Sequence, residues 1–202
     1  MQNNLFRFLT FAFIFCSPFY AAAQPWVSKN YEIESQKDII YGTALNFAGR
    51  TDTLKLDVYL PANDTVPECG RPLFMAIHGG GWYAGHKGEG VMKSMAEDFA
   101  RRGYVAVSIN YRLGLFNTHQ NVHCNIPGWD CWNMADTAEW YRANYRGIVD
   151  AQAALVYLSA NADTYKINPE NVFVAGESAG GFIALGLGFI DNHEEILHSL
   201  TD

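Results

Sequence analysis

The pentapeptide Gly176-Glu177-Ser178-Ala179-Gly180 sits between two apolar runs of different character. Before it, Asn171-Val172-Phe173-Val174-Ala175 is short and β-leaning. After it, Gly181-Phe182-Ile183-Ala184-Leu185-Gly186-Leu187 reads as a buried helix. Strand, tight turn and helix in that order are the context that gives G-x-S-x-G a meaning. The turn is sharp and its backbone strained, and Gly176 and Gly180 remove Cβ atoms that would otherwise collide there. Such a turn lifts the Ser178 hydroxyl above the sheet edge. The helix behind it points backbone N–H groups at any anion that forms there.

On its own the pentapeptide also fits an ordinary strand-to-helix turn. A second motif changes the reading: His78-Gly79-Gly80-Gly81-Trp82 follows another strand-like run, Leu73-Phe74-Met75-Ala76-Ile77. Three glycines after a strand let the backbone approach a ligand closely with its N–H groups exposed, as an oxyanion hole requires.

With Asn110-Tyr111-Arg112-Leu113 after a third strand, these motifs resemble those of the α/β-hydrolase esterases, near the hormone-sensitive-lipase-like and carboxylesterase branches. The resemblance covers roughly residues 53–190. It implies an α/β-hydrolase fold, a mostly parallel sheet with helices on both faces, and Ser178 as the nucleophile that forms an acyl-enzyme. It further implies backbone donors for the oxyanion at Gly80, Gly81 and Ala179, with Gly79 the alternative if the loop is shifted by one residue. His78 would support that loop by hydrogen bonds and would not be the base. The resemblance also implies the order nucleophile, acid, histidine. Asp191, His193 and His198 follow Ser178 too closely to complete it, at the end of a helix that runs away from the site. His119 and His123 would be an arrangement foreign to the family. The chain is therefore expected to reach Asp202 before the acid and base arrive, as the N-terminal part of a longer esterase with the C-terminal part of the fold missing. The alternative is a natural truncation without a triad.

The 202 residues suffice for one domain with a sizeable core. A content of 49% hydrophobic and 17% charged residues excludes disorder, and a net charge of −7 argues against a nucleic-acid partner. Residues 1–23 read as a signal peptide: Arg7 precedes an apolar stretch from Phe8 to Phe15, Ser17 and Pro18 break it, and Ala21-Ala22-Ala23 offers a cleavage site. The stretch is too short to span a bilayer, so no stable membrane insertion is expected after cleavage. Phe15 before Cys16 speaks against a lipoprotein signal. The mature domain, 24–202, would work secreted or in a periplasm. There Cys124 and Cys131 are expected to close a short disulfide loop, with Cys69 left over. His119, His123, Cys124 and Cys131 also make a rival zinc set. Their spacing matches no common zinc pattern, and no metal is expected. Asn63-Asp64-Thr65 has the form of a glycosylation sequon.

Along the chain, residues 24–52 carry no clear motif. Leu54 to Leu60 alternates like an antiparallel strand with one solvent face, and Leu73 to Ile77 is a near-continuous apolar run, as in a strand covered on both faces. Val91 to Arg102 reads as an amphipathic helix with Val91, Met92, Met95, Phe99 and Ala100 on one side, stopped by Gly103. Tyr104 to Ile109 is the next buried strand. An insertion at about 113–146, rich in aromatics and holding Trp129, Trp132, Trp140 and Tyr141, reads as a wall or cap over a pocket, or else as a surface excursion. Ile148, Ala151, Leu155 and Leu158 form a helical face, and Asp163 to Pro169 a polar connection. The expected activity is serine hydrolysis of a small-molecule or glycan-linked carboxylic ester, with no cofactor, since acyl transfer at an activated serine needs none. The alternatives are a serine peptidase on the same fold and a non-catalytic binding protein. The oligomeric state is left open.

Overall fold

A computed structural model describes residues 26–62, 65–115, 135 and 137–190. The signal peptide with Cys16, Asn63 and Asp64 of the sequon, the insertion's His119, His123, Cys124 and Cys131, and Asp191, His193 and His198 lie outside the described residues.

Five strands form one sheet in the order β1-β2-β4-β3-β5, with β1 Ile33–Leu45, β2 Thr51–Pro61, β3 Arg71–Ile77, β4 Val105–Ile109 and β5 Ile167–Gly176. The three strands that carry the motifs, β4, β3 and β5, are mutually parallel, and β2 and β1 extend the sheet by antiparallel pairing. Helix α1 (Gly90–Arg101) covers one face. Helices α2 (Thr137–Ala160) and α4 (Ala179–Phe189) cover the other, and the short α3 (Ala162–Tyr165) leads into β5.

Strand periodicity assigns the core. Leu73, Met75 and Ile77 of β3 join the cluster under α2 and α4, while Phe74 and Ala76 point to α1. Every residue of β3 is buried, which is why the run is apolar without alternation. On α1, Met92, Ala96 and Ala100 lie one turn apart and face the sheet, and the small alanines let the helix sit close. Phe99 stacks on Phe74 at 3.8 Å between ring centroids. Val91, expected on that face, is 57% exposed, because it lies a quarter turn from the buried ridge.

α2 and α4 cross through glycines. A Cβ on Gly147 would lie 2.5 Å from Ile183 Cδ1, and one on Gly186 would lie 2.3 Å from Ile148 Cδ1. Each isoleucine fills the gap left by the other helix's glycine. The buried side of α4 is Ala179, Gly180, Ile183 and Gly186. Phe182, Leu185 and Phe189 face outward, so the helix read as buried is covered on one side among the described residues.

Other boundaries moved as well. β1 was not legible because the register with β2 shifts between Gln36 and Ile39 and again between Ile40 and Gly42, which scrambles the alternation. α2 begins at Thr137, so the last ten residues of the expected insertion are its first turns. The polar connection before β5 overlaps α3 and takes in the first residues of the strand. β2 has no solvent face in its middle: Leu56, Asp57, Val58 and Tyr59 are all buried, because α1 and the loop before it cover the side that Asp57 and Tyr59 share.

Candidate active site

Register brings the motifs together. Ile77 pairs with Ile109 on one side and Gly176 on the other, so β4, β3 and β5 end in one row. The segments beginning at His78, Asn110 and Glu177 all leave from that row. In open α/β sheets this carboxyl edge is where ligands bind.

The strand-to-helix turn has the strain its sequence implied. Ser178 has φ 50° and ψ −116°, a region essentially reserved for glycine, and it stands at the N-terminus of α4 with its side chain exposed. At Gly176 and Gly180 the backbone is packed too tightly for a Cβ. One on Gly176 would lie 2.0 Å from Gly180 O, and one on Gly180 would lie 2.2 Å from Ile77 O. The Glu177 N–H donates to Ile77 O at 3.2 Å, which seats the turn on the end of β3. Gly181 and Phe182 N–H groups donate to Ser178 O, while the Ala179 N–H has no backbone partner among the described residues. It is the first donor of a helix whose N-terminal N–H groups point out along the axis.

Across from the turn, the β3–α1 loop is coiled by left-handed residues: Gly80 at φ 107°, Gly81 at 59° and Trp82 at 58°. Gly80 O accepts from the N–H groups of Tyr83 and Ala84. Gly79 packs against the turn itself, since a Cβ there would lie 2.9 Å from Glu177 O. A cleft of about 410 Å³ is lined by His78, Gly79, Gly80, His86, Glu177 and Ser178, among others. Gly81 is not part of that lining; its α-carbon is covered by the Tyr83 ring. Ser178 also borders a second cleft of about 510 Å³ on the apolar side, with Val174, Phe182 and Leu185.

His78, at the start of this loop, is buried. Its Nδ1 lies 2.7 Å from Gly79 O, an atom that only accepts, so Nδ1 carries the proton. The ring stacks on Tyr111 at 4.5 Å, and the Tyr111 hydroxyl donates to His78 O at 3.1 Å. Burial pushes the His78 pKa below the ordinary histidine value, against the opposing pull of the bond to Gly79. The phenol of Tyr111 is pushed up by burial and stays protonated as a donor.

The Asn110-Tyr111-Arg112 segment acquires physical content here. Asn110 Oδ1 accepts from the Lys87 N–H at 2.6 Å, Tyr111 holds the His78 and Gly79 carbonyls, and Arg112 chelates the buried Asp150 of α2 through Nε and Nη2. Beyond it, Trp140 meets Trp82 edge-on at 5.3 Å, and Leu115, Ala135 and Ala143 cluster with Trp82 and Tyr83. The described ends of the insertion thus pack on the glycine loop.

Sequence reasoning missed His86 and the Asp57–Lys87 pair. His86 lines the cleft with Ser178. The signal for Asp57 was an acid directly before the apolar run Val58, Tyr59 and Leu60, which the alternation of Leu54 to Leu60 disguised as a solvent-facing residue. Burial alone would raise its pKa, but the hydrogen bond and charge of Lys87 hold it below the usual carboxylate range.

A strained serine between parallel strand and helix, facing a tri-glycine loop across the carboxyl edge of the sheet, defines the α/β-hydrolase class. A family model, the carboxylesterase family, matches residues 21–198, and the chain belongs to that family. Carboxylesterase 1D of Mus musculus is 29% identical over 175 residues, covering 79% of this chain and 27% of its own length. The para-nitrobenzyl esterase of Bacillus subtilis (strain 168) is 33% identical over 130 residues, 64% of this chain and 23% of its own. The chain therefore spans about a quarter of the length of these relatives. Among solved structures, an inhibited esterase B from Lactobacillus rhamnosis superposes with a TM-score of 0.55 at 21% identity, over 84% of this chain and 44% of that one, and shares the fold. Among the described residues, no helix is long and apolar enough to cross a membrane.

Proposed function

We propose that this chain carries the nucleophile and oxyanion hole of a secreted serine esterase. The observation that supports the reading best is the Ser178 turn: a non-glycine residue in a glycine conformation, presented at a helix N-terminus opposite the Gly79–Gly80 loop. Strain of that kind persists only where surrounding structure holds it, and here Gly176 and Gly180 leave no room for a Cβ against the backbone that does so.

In this mechanism Ser178 Oγ attacks the carbonyl carbon of a small-molecule or glycan-linked ester. Its proton passes to a histidine base, and the carbonyl π pair moves onto oxygen. Backbone N–H groups of Gly80, Gly81 and Ala179, with Gly79 the alternative if the loop is offset by one residue, stabilise that oxyanion; one such donor is worth about 3 kcal/mol. Collapse expels the alcohol and leaves an acyl-serine, which water hydrolyses. The acid and the base are sought downstream of Ser178, in the order the family resemblance implies. The supporting glycines are Gly176 and Gly180, and His78 shapes the loop without exchanging protons. No cofactor is required. The same reading includes removal of residues 1–23 as a signal peptide, a mature domain from Gln24, and a Cys124–Cys131 disulfide in an oxidising compartment.

The test is hydrolysis of p-nitrophenyl acetate by the protein at its natural length. Turnover that is lost in Ser178→Ala supports the reading, and turnover indifferent to that change contradicts it.

A further inference from the structure

The loop between the tri-glycine turn and α1 is held by a polar anchor inside the protein. Lys87, in its middle, is buried, with its Nζ 2.5 Å from Asp57 Oδ1 and 3.1 Å from Asp38 Oδ1. The side chains of Lys87 and Asp57 are each 3% exposed, and Lys37 reaches the other Asp57 oxygen at 3.4 Å. Asp38 arrives there through a bulge in β1: it has φ 57°, and its N–H donates to Asp57 Oδ1 at 2.9 Å. The main chain of Lys87 is fixed as well. Its N–H donates to Asn110 Oδ1, and its carbonyl accepts from Ser108 Oγ at 2.8 Å. One residue is thus tied to β1, β2, β4 and the segment after β4. Its immediate neighbour His86, and Glu89 two residues on, line the cleft shared with Ser178.

A buried ion pair is a poor source of stability, because an apolar pair of similar volume does as well or better. It does fix one position for the chain that bears it. We infer that Lys87 is a positioning residue for ester hydrolysis: its ammonium, clasped by Asp57 and Asp38, fixes the β3–α1 loop so that Gly79–Gly81 and His86 stand at the right distance from Ser178. This rests on the esterase reading above. A loop free to drift would keep its donors but lose their aim, and a misplacement of about 1 Å can lower the rate on the order of 100-fold.

The test uses the protein at its natural length in three forms: wild type, Lys87→Met, and Lys87→Met combined with Asp57→Leu. The single change strands a buried carboxylate and lowers Tm; the double change removes that carboxylate and returns Tm to near the wild-type value. The kcat on p-nitrophenyl acetate falls at least about tenfold in both variants, with KM within about twofold, because oxyanion donors act on the transition state. Amide hydrogen exchange across residues 79–89 rises in both. A double variant that regains both Tm and kcat overturns the inference, as does one that stays unstable or exchange across 79–89 that is unchanged. If the wild type shows no Ser178-dependent hydrolysis, the esterase reading fails, and the catalytic role of Lys87 with it. The exchange data then still decide whether Lys87 holds the loop.

Discussion

Gly180→Ala isolates the contact that seats the serine turn on the sheet. The added Cβ would lie 2.2 Å from Ile77 O and 2.6 Å from His78 O. Ordinary contact begins at 3.4 Å, so the first neighbour is short by about 1.2 Å, and it is main chain at the end of a fully buried strand. No rotamer change relieves it. Either the turn lifts from β3 by about an ångström, or the backbone distorts, and overpacking of this kind costs about 1–3 kcal/mol. For a domain of this size that is a Tm loss of about 2–4 °C per kcal/mol. The same lift carries Ser178 away from Gly79 and Gly80, for a further loss on the order of 100-fold in kcat. Gly188→Ala is the matched control. It lies in the same helix with nothing among the described residues within 4 Å of its added Cβ, and should be neutral or stabilising by up to about 1 kcal/mol. Thermal unfolding and p-nitrophenyl acetate kinetics on both variants decide the matter. A Gly180→Ala protein as stable and as active as Gly188→Ala would refute the argument that backbone contact fixes the turn.

Ser178→Gly should raise Tm while abolishing hydrolysis, since a residue at φ 50° and ψ −116° costs about 1–3 kcal/mol that glycine avoids; a lower Tm than wild type would count against strain at this position. His78 is buried with a lowered pKa, so its protonated form favours the unfolded state. Its contribution is complete above the ordinary histidine value of about 6.5 and declines as pH falls below it, so the drop in Tm from about pH 7 to about pH 5 should be smaller in His78→Gln than in wild type. Arg112→Met leaves the buried Asp150 carboxylate without its chelating partner and should cost about 3–5 kcal/mol in urea unfolding, much of it recovered when Asp150→Leu is added.

What could be read from the sequence was whatever depends on local backbone chemistry. Gly176 and Gly180 announced a turn too tight for Cβ atoms, and the structure has it; the three glycines at 79–81 announced a loop that a ligand can approach closely, and the structure sets that loop beside the turn at the same edge of the sheet. The uninterrupted apolar run of β3 announced a strand covered on two faces. What could not be read depends on partners distant in sequence. β1 escaped because two bulges break its period, one of them holding Asp38, which meets Lys87. Asp57 passed for a solvent-facing residue because its burial is supplied by a loop 30 residues away. His86 has no motif around it; only the fold of the β3–α1 loop puts it on the cleft with Ser178.

The central claim is that Ser178 is a nucleophile, and the most direct measurement is covalent. The protein at its natural length is treated with a fluorophosphonate, and its intact mass and peptide map are recorded. The account predicts one adduct per chain, on the peptide containing Ser178, absent from Ser178→Ala and suppressed by prior incubation with an ester substrate. An unmodified protein, or an adduct that persists in Ser178→Ala, would contradict it.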